Sequence, residues 1–253
     1  MTVEEHITIG NAAFDRKDFD AAIMHYSAAI ALDATNIIAY YNRGLAKNNI
    51  GQHRDAIADF NEAIRLEPEN APAYNDRGNA KCRLENYRQA IADYDEAIRI
   101  NPNDPTTYIN RGCAKSSIAQ YLVAIADFNI AIQLDIENRN AYYNRGLAKY
   151  YLELYREAIQ DYDVAILLDP NDVITYNNRG LAKYKLGRAK AAIPDYNQAI
   201  RFNPEDTLAY LNRGLAKKAT GHTTAAKRDF ENALRFAEAA GDTLLVEKIK
   251  GLF

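Results

Sequence analysis

The chain has 253 residues, 48% of them hydrophobic and 26% charged, with a formal net charge of −3 and a sequence pI near 5.9. An acidic balance without a basic stripe argues against a nucleic-acid surface, and no run approaches the roughly 18 apolar residues of a membrane span. Two cysteines, Cys82 and Cys113, are too few for a disulfide framework. The acidic opening MTVEEHITIG lacks the apolar core of a signal peptide, so a complete chain of this kind is expected in the cytoplasm.

Glycine recurs at residues 10, 44, 78, 112, 146, 180 and 214, each 34 residues after the last. Such a period without slippage means one unit copied along the chain, each copy too short to bury its own apolar face and so stacked on its neighbours. The copies run 3–36, 37–70, 71–104, 105–138, 139–172, 173–206 and 207–240; positions within a copy are counted 1 to 34. Each reads as two helices. Asn36, Asn70, Asp104, Asn138, Asp172 and Asp206 at position 34 are suited to cap the helix that follows. The first copy is atypical, with His6, Ile9 and Ala13 where later copies have Tyr, Arg and Lys, as suits an end repeat. Pro105 opens the fourth copy at the first helical position, where its missing N–H costs nothing. Gly51, Gly187 and Gly221 at position 15 mark the turn between the helices. Pro194 lies inside the second helix of the sixth copy and should remove a hydrogen bond and bend it. After residue 240 the register stops. Residues 241–253 read as a capping helix, with Asp242 as N-cap and Leu244, Leu245, Ile249, Leu252 and Phe253 as its apolar stripe.

Other positions repeat as well. Position 4 is tyrosine from Tyr40 to Tyr210; position 20 is alanine from Ala22 to Ala226. Position 24 is always aromatic (Tyr26, Phe60, Tyr94, Phe128, Tyr162, Tyr196, Phe230), position 27 is alanine from Ala29 to Ala233, and proline closes four copies at Pro68, Pro102, Pro170 and Pro204. Positions 20, 21, 24, 27 and 28 form one stripe of a helix. The alanines and the position-8 glycine let helix axes approach, which explains a glycine that otherwise costs about 1 kcal/mol. This pattern, over residues 3–240, resembles the tetratricopeptide repeat. The resemblance implies an all-α fold, a right-handed superhelical α-solenoid of helical hairpins.

Enzyme chemistry has no foothold in the sequence. There is no phosphate-cradling glycine loop, no His-Glu-x-x-His and no Cys-x-x-Cys. His6, His25, His53 and His222 occupy unrelated positions, so no catalytic residue, cofactor or metal ligand is assigned. Arg43, Arg77, Arg111, Arg145, Arg179 and Arg213 at position 7 are matched one for one by Asp59, Asp93, Asp127, Asp161, Asp195 and Asp229 at position 23. Catalytic pairs are unique, whereas these recur with the unit, so they read as structural ion pairs within a repeat or to the preceding one. The position-11 lysines, Lys47 to Lys217, are either solvated or part of that network. Cys82 and Cys113 read as small unreactive residues.

The resemblance further implies that positions 2, 5, 6, 9, 12 and 13 of the first helices line a concave groove. Position 6 there is Asn42, Asp76, Asn110, Asn144, Asn178 and Asn212. Each amide offers two donors and an acceptor, so a row of them can hold the backbone of an extended peptide. The array of O-linked N-acetylglucosamine transferase has a similar row and uses it that way; Asp76 interrupts it here. Tyr41, Tyr143, Tyr150 and Tyr184 flank the row with large, low-entropy contact area. The expected role is a non-enzymatic scaffold or adaptor binding a protein or peptide partner in this groove, with no nucleic acid and no membrane. A homo-oligomeric scaffold and the substrate-recruiting arm of a larger enzyme are the competing readings. The opening GNAAFDRKDFDAAI looks similar to the co-chaperone branch, which clamps a C-terminal carboxylate. The matching positions are Ile7, Asn11, Asn42, Pro72 and Asp76, which supply no cation and one acid, so that clamp is not expected.

Overall fold

A computed structural model describes residues 1–253 as fifteen helices without a strand. The chain divides into two compact units, Met1–Leu134 and Asp135–Phe253. The first holds α1 (Val3–Asp15), α2 (Phe19–Leu32), α3 (Ile37–Asn49), α4 (His53–Leu66), α5 (Ala71–Arg83), α6 (Tyr87–Ile100), α7 (Pro105–Ser117) and α8 (Tyr121–Leu134). The second holds α9 (Arg139–Tyr151), α10 (Tyr155–Leu168), α11 (Val173–Lys185), α12 (Ala189–Phe202), α13 (Thr207–Ala219), α14 (Thr223–Ala239) and α15 (Thr243–Lys250). Within each unit every first helix packs on the second helix of its own repeat, and that second helix packs on the next first helix. No helix is long and apolar enough to cross a membrane.

The ends of the helices follow from their caps. Asn36, Asn70, Asp104, Asn138, Asp172 and Asp206 all sit at the N-cap and accept from backbone amides of the first turn. Inside every hairpin the middle turn residue is left-handed: Lys17, Gly51, Glu85, Ala119, Glu153, Gly187 and Gly221 have φ of 60 to 82°. The next amide closes back on the helix, as Asn86 N–H does on Lys81 O at 2.9 Å and Leu154 N–H on Lys149 O at 2.9 Å. This is the Schellman closure, which satisfies carbonyls the helix end leaves open. Glycine adopts it freely, but Lys17, Glu85, Ala119 and Glu153 pay for it with about 1–2 kcal/mol of steric strain.

The recurring glycine has a direct cause. A methyl group built on Gly78 would lie 2.7 Å from the Tyr94 ring, and one on Gly214 would lie 2.5 Å from Phe230. The same clash arises at all seven position-8 glycines, each against the position-24 aromatic of its own repeat. Those rings are the buried centre of each hairpin, set among the alanines of positions 20 and 27.

A polar frame accompanies this core. Arg43 forks onto Asp59, Nε to Oδ2 at 3.0 Å and Nη2 to Oδ1 at 2.7 Å, and Lys47 Nζ reaches Oδ2 at 2.7 Å. The set recurs as Arg77–Asp93–Lys81, Arg111–Asp127–Lys115, Arg145–Asp161–Lys149, Arg179–Asp195–Lys183 and Arg213–Asp229–Lys217. The arginine thus pairs inside its own repeat, and the lysines belong to the network instead of solvent. Each guanidinium also lies over the position-4 tyrosine, 5.2–5.6 Å from the ring centre. The remaining arginine nitrogen reaches position 25 of the preceding repeat: Arg77 to Asn61, Arg111 to Asp95, Arg179 to Asp163 and Arg213 to Asn197. In the first repeat His6 and His25 replace the frame, their Nδ1 atoms 3.1 Å apart, a pairing that their spacing in the sequence does not reveal.

Two local features bear on the sequence expectations. Pro194 sits on the exposed side of α12, which runs unbroken from Ala189 to Phe202; a carbonyl it leaves unbonded can face water there. α15 is shorter than the stripe predicted, ending at Lys250 with Gly251 as C-cap. It buries Val246 and Ile249 while Leu244 is 83% exposed.

Candidate functional site

The first helices carry the predicted row, and their neighbours determine what each residue does. In the first unit, Asn42 Nδ2 donates to Asn11 Oδ1 at 3.0 Å, and that oxygen also accepts from Tyr26 Oη at 2.8 Å. Tyr41 Oη donates to Asp76 Oδ2 at 2.7 Å; the Asn79 and Asn75 amides donate to Asp76 Oδ1 at 3.2 and 3.3 Å. Asn110 Nδ2 donates to Asn75 Oδ1 at 3.0 Å. Position 6 of one first helix therefore meets position 5 or 9 of the preceding one. Burial pushes the Asp76 carboxyl up from its ordinary value, and nearby Asp104 adds to this, against the three donors that pull it down. Burial raises the Tyr41 hydroxyl well above the usual tyrosine range, with Asp76 reinforcing it.

In the second unit, Asn178 Nδ2 donates to Tyr143 Oη at 3.0 Å, and Asn144 Nδ2 caps its own helix turn through Asn140 O at 2.9 Å. Asn212 is half-buried on α13. An amide has two N–H groups and a carbonyl, so these asparagines keep capacity for a ligand. Tyr143 and Tyr150 pack on Ala158, Tyr162 and Ala182, and Tyr184 packs on Ala192, Tyr196 and Ala216. Tyr150 also meets the rings of Tyr151 and Tyr155, with centres 5.8 and 5.4 Å away. Tyr143, Tyr150 and Tyr184 thus belong in part to the hydrophobic core beneath the first helices. Tyr151, Ile174 and Leu208 stand out from it, 56%, 60% and 54% exposed.

One feature of the floor escaped sequence reasoning. Where position 24 is tyrosine and position 9 asparagine, the two pair: Tyr26 with Asn11, and Tyr94 with Asn79 at 2.8 Å. In the fifth and sixth repeats position 9 is Leu147 and Leu181, and the hydroxyls of Tyr162 and Tyr196 are buried without a partner. The pairing of positions 9 and 24 across a hairpin is the signal that would have found this.

Cys82 and Cys113 line one cleft of about 460 Å³ in the first unit, with Asn48, Asn79 and Asn110. Burial raises both thiols, Cys113 to about 11 with Cys82 contributing, so little reactive thiolate forms near neutrality. No three His, Cys, Asp or Glu side chains come together in a way that could hold a metal ion.

Hairpins on a common polar frame, with a variable face of amides and tyrosines, define a helical-repeat protein of the interaction-scaffold class. Family models described as TPR repeat or tetratricopeptide repeat match residues 10–51, 37–70, 71–104, 149–187, 180–221 and 208–239. The chain belongs to the tetratricopeptide-repeat family, whose fold serves typically as a non-catalytic scaffold for protein–protein interaction. It is similar to Hsp70-Hsp90 organizing protein 1 of Glycine max, 45% identical over 56 residues, which is 22% of this chain and 10% of that one. The chain thus matches only about a tenth of the length of its curated relatives. Among solved structures, a tetratricopeptide repeat protein from Parabacteroides merdae shares the fold with a TM-score of 0.75, 20% identity and 98% coverage of both chains. MamA shares it with a TM-score of 0.63 and 27% identity, over 70% of this chain and 96% of that one.

Proposed function

We propose that the chain is a non-enzymatic adaptor that holds a segment of a partner protein against its first helices, with α9, α11 and α13 as the main seat. One observation carries this reading. Exposed Tyr151, Ile174 and Leu208 share those helices with the half-buried amides Asn144, Asn178 and Asn212. Exposed apolar contact area beside amides suits an extended backbone with intermittent apolar side chains. A chaperone C-terminal carboxylate is not the occupant, because Ile7, Asn11, Asn42, Pro72 and Asp76 offer it no cation and Asp76 repels it.

The test is a displayed random-peptide library panned on the intact chain, followed by titration of a selected synthetic peptide. The paired change Asn144→Ala with Asn178→Ala should weaken that peptide about tenfold or more, the loss of one or two hydrogen bonds. Unchanged affinity in the double variant would overturn the assignment of this seat.

A further inference from the structure

Buried carboxylates in this fold come with cations. Asp59, Asp93, Asp127, Asp161, Asp195 and Asp229 each hold an arginine and a lysine, and buried Asp172 holds Arg139. Asp76 is half-buried and has no cation partner. It sits in the middle of α5, and its hydrogen bonds come from the Tyr41 hydroxyl and the amides of Asn75 and Asn79, all neutral. Five other repeats carry asparagine at the same position, so one negative charge has been set into an otherwise neutral row. Even a partly desolvated carboxylate is costly unless a cation or a strong donor set offsets it. Its raised proton affinity reports that cost.

Beside Asp76 opens a cleft of about 330 Å³ whose walls include Tyr41, Pro72, Asn75, Asp104 and Thr106 and contain no basic side chain. The C-terminal end of α6 contributes Ala97 and Asn101 to the same walls. Ala71 and Pro72 at the start of α5 and Thr106 and Thr107 at the start of α7 bring helix N-termini to the same walls, so the helix ends offset one another and the Asp76 and Asp104 carboxylates set the sign of the field. The space suits the head and stem of one long cationic side chain, whose stem can lie along Pro72 and the Tyr41 ring.

We infer that Asp76 and this cleft form a specificity pocket for a lysine or arginine of the bound segment, placed on the first-helix face of the unit Met1–Leu134. The inference rests on the reading of that face as a peptide-binding surface. It names the chemistry of the partner: an extended segment with a basic residue where it crosses the third repeat, and without acidic residues at that point.

A displayed random-peptide library panned in parallel on the native full chain and on Asp76→Asn tests both levels. The variant should fold, because asparagine is the residue of the neighbouring repeats, and its circular dichroism should match the native spectrum. Peptides from the native chain should share a lysine or arginine at one recurring site, and the variant should lose that preference. A selected peptide should weaken about tenfold when its basic residue is replaced by norleucine. That difference should vanish on Asp76→Asn. Peptides that bind well with no basic residue, or a norleucine penalty equal on both proteins, would overturn the pocket and leave the face as a peptide site. Recovery of no peptide from either folded protein would overturn the face itself and the pocket with it.

Discussion

The third and fifth repeats share a frame and differ in their finish. Arg77, Lys81 and Asp93 are arranged like Arg145, Lys149 and Asp161, and Gly78 abuts Tyr94 as Gly146 abuts Tyr162. The faces diverge. In the third repeat Asn79 takes the Tyr94 hydroxyl and also donates to Asp76, so the wall is polar and internally bonded. In the fifth, Leu147 replaces Asn79, the Tyr162 hydroxyl is stranded, and Tyr143, Tyr150 and Tyr151 cover the surface. Frame residues answer to packing, which is the same in every repeat. Face residues are freer of that packing, and there the copies differ from one another.

The comparison can be broken most forcefully at the frame. Asp93→Ala and Asp161→Ala each strand an arginine and a lysine, and each should cost about 3–5 kcal/mol in urea denaturation followed by circular dichroism. A much milder loss at one site would show that the frames are not equivalent. A finer test separates the faces. Tyr94→Phe should cost about 1–2 kcal/mol, because it leaves the Asn79 carbonyl without its donor, whereas Tyr162→Phe removes a buried, unbonded hydroxyl and should be neutral or stabilising. Equal losses would mean that the Tyr162 hydroxyl is satisfied after all. The smallest effect lies in the turns. Ala119→Gly should gain about 0.5 kcal/mol by relieving its left-handed backbone, and Gly187→Ala should lose about 1 kcal/mol, both read as shifts in melting temperature.

Much of the frame was legible before any coordinates. The glycine period announced a contact of fixed size, and the aromatic 16 residues on is the group that fills it. Capping by Asn36, Asp104 and Asp206 followed from residue type alone. The left-handed turn was legible only at Gly51, Gly187 and Gly221; at Lys17, Glu85, Ala119 and Glu153 the Schellman closure overrides local preference, and nothing in those side chains advertises it. The candidate face was legible as a set of positions but not as a set of bonds. Tyr41 with Asp76, and Asn75 with Asn110, depend on how one first helix is offset from the next, an offset that period and composition do not encode. His6 and His25 meet across one hairpin, α1 against α2, where later copies carry the tyrosine and the aspartate, so the repeat pattern gives no precedent for their pairing.

The placement of the ion-pair frame has a further consequence. Each Arg–Asp–Lys set is complete within one repeat, and in the first unit the arginine touches the preceding copy only through residues such as Ser27, Asn61 or Asp95, which are interchangeable acceptors. Excising residues 71–104 would set Arg111 opposite Asn61 instead of Asp95, with every set intact. Repeats therefore behave as cassettes: gene duplication or loss can lengthen or shorten the array one whole unit at a time, altering its reach without inventing a new fold.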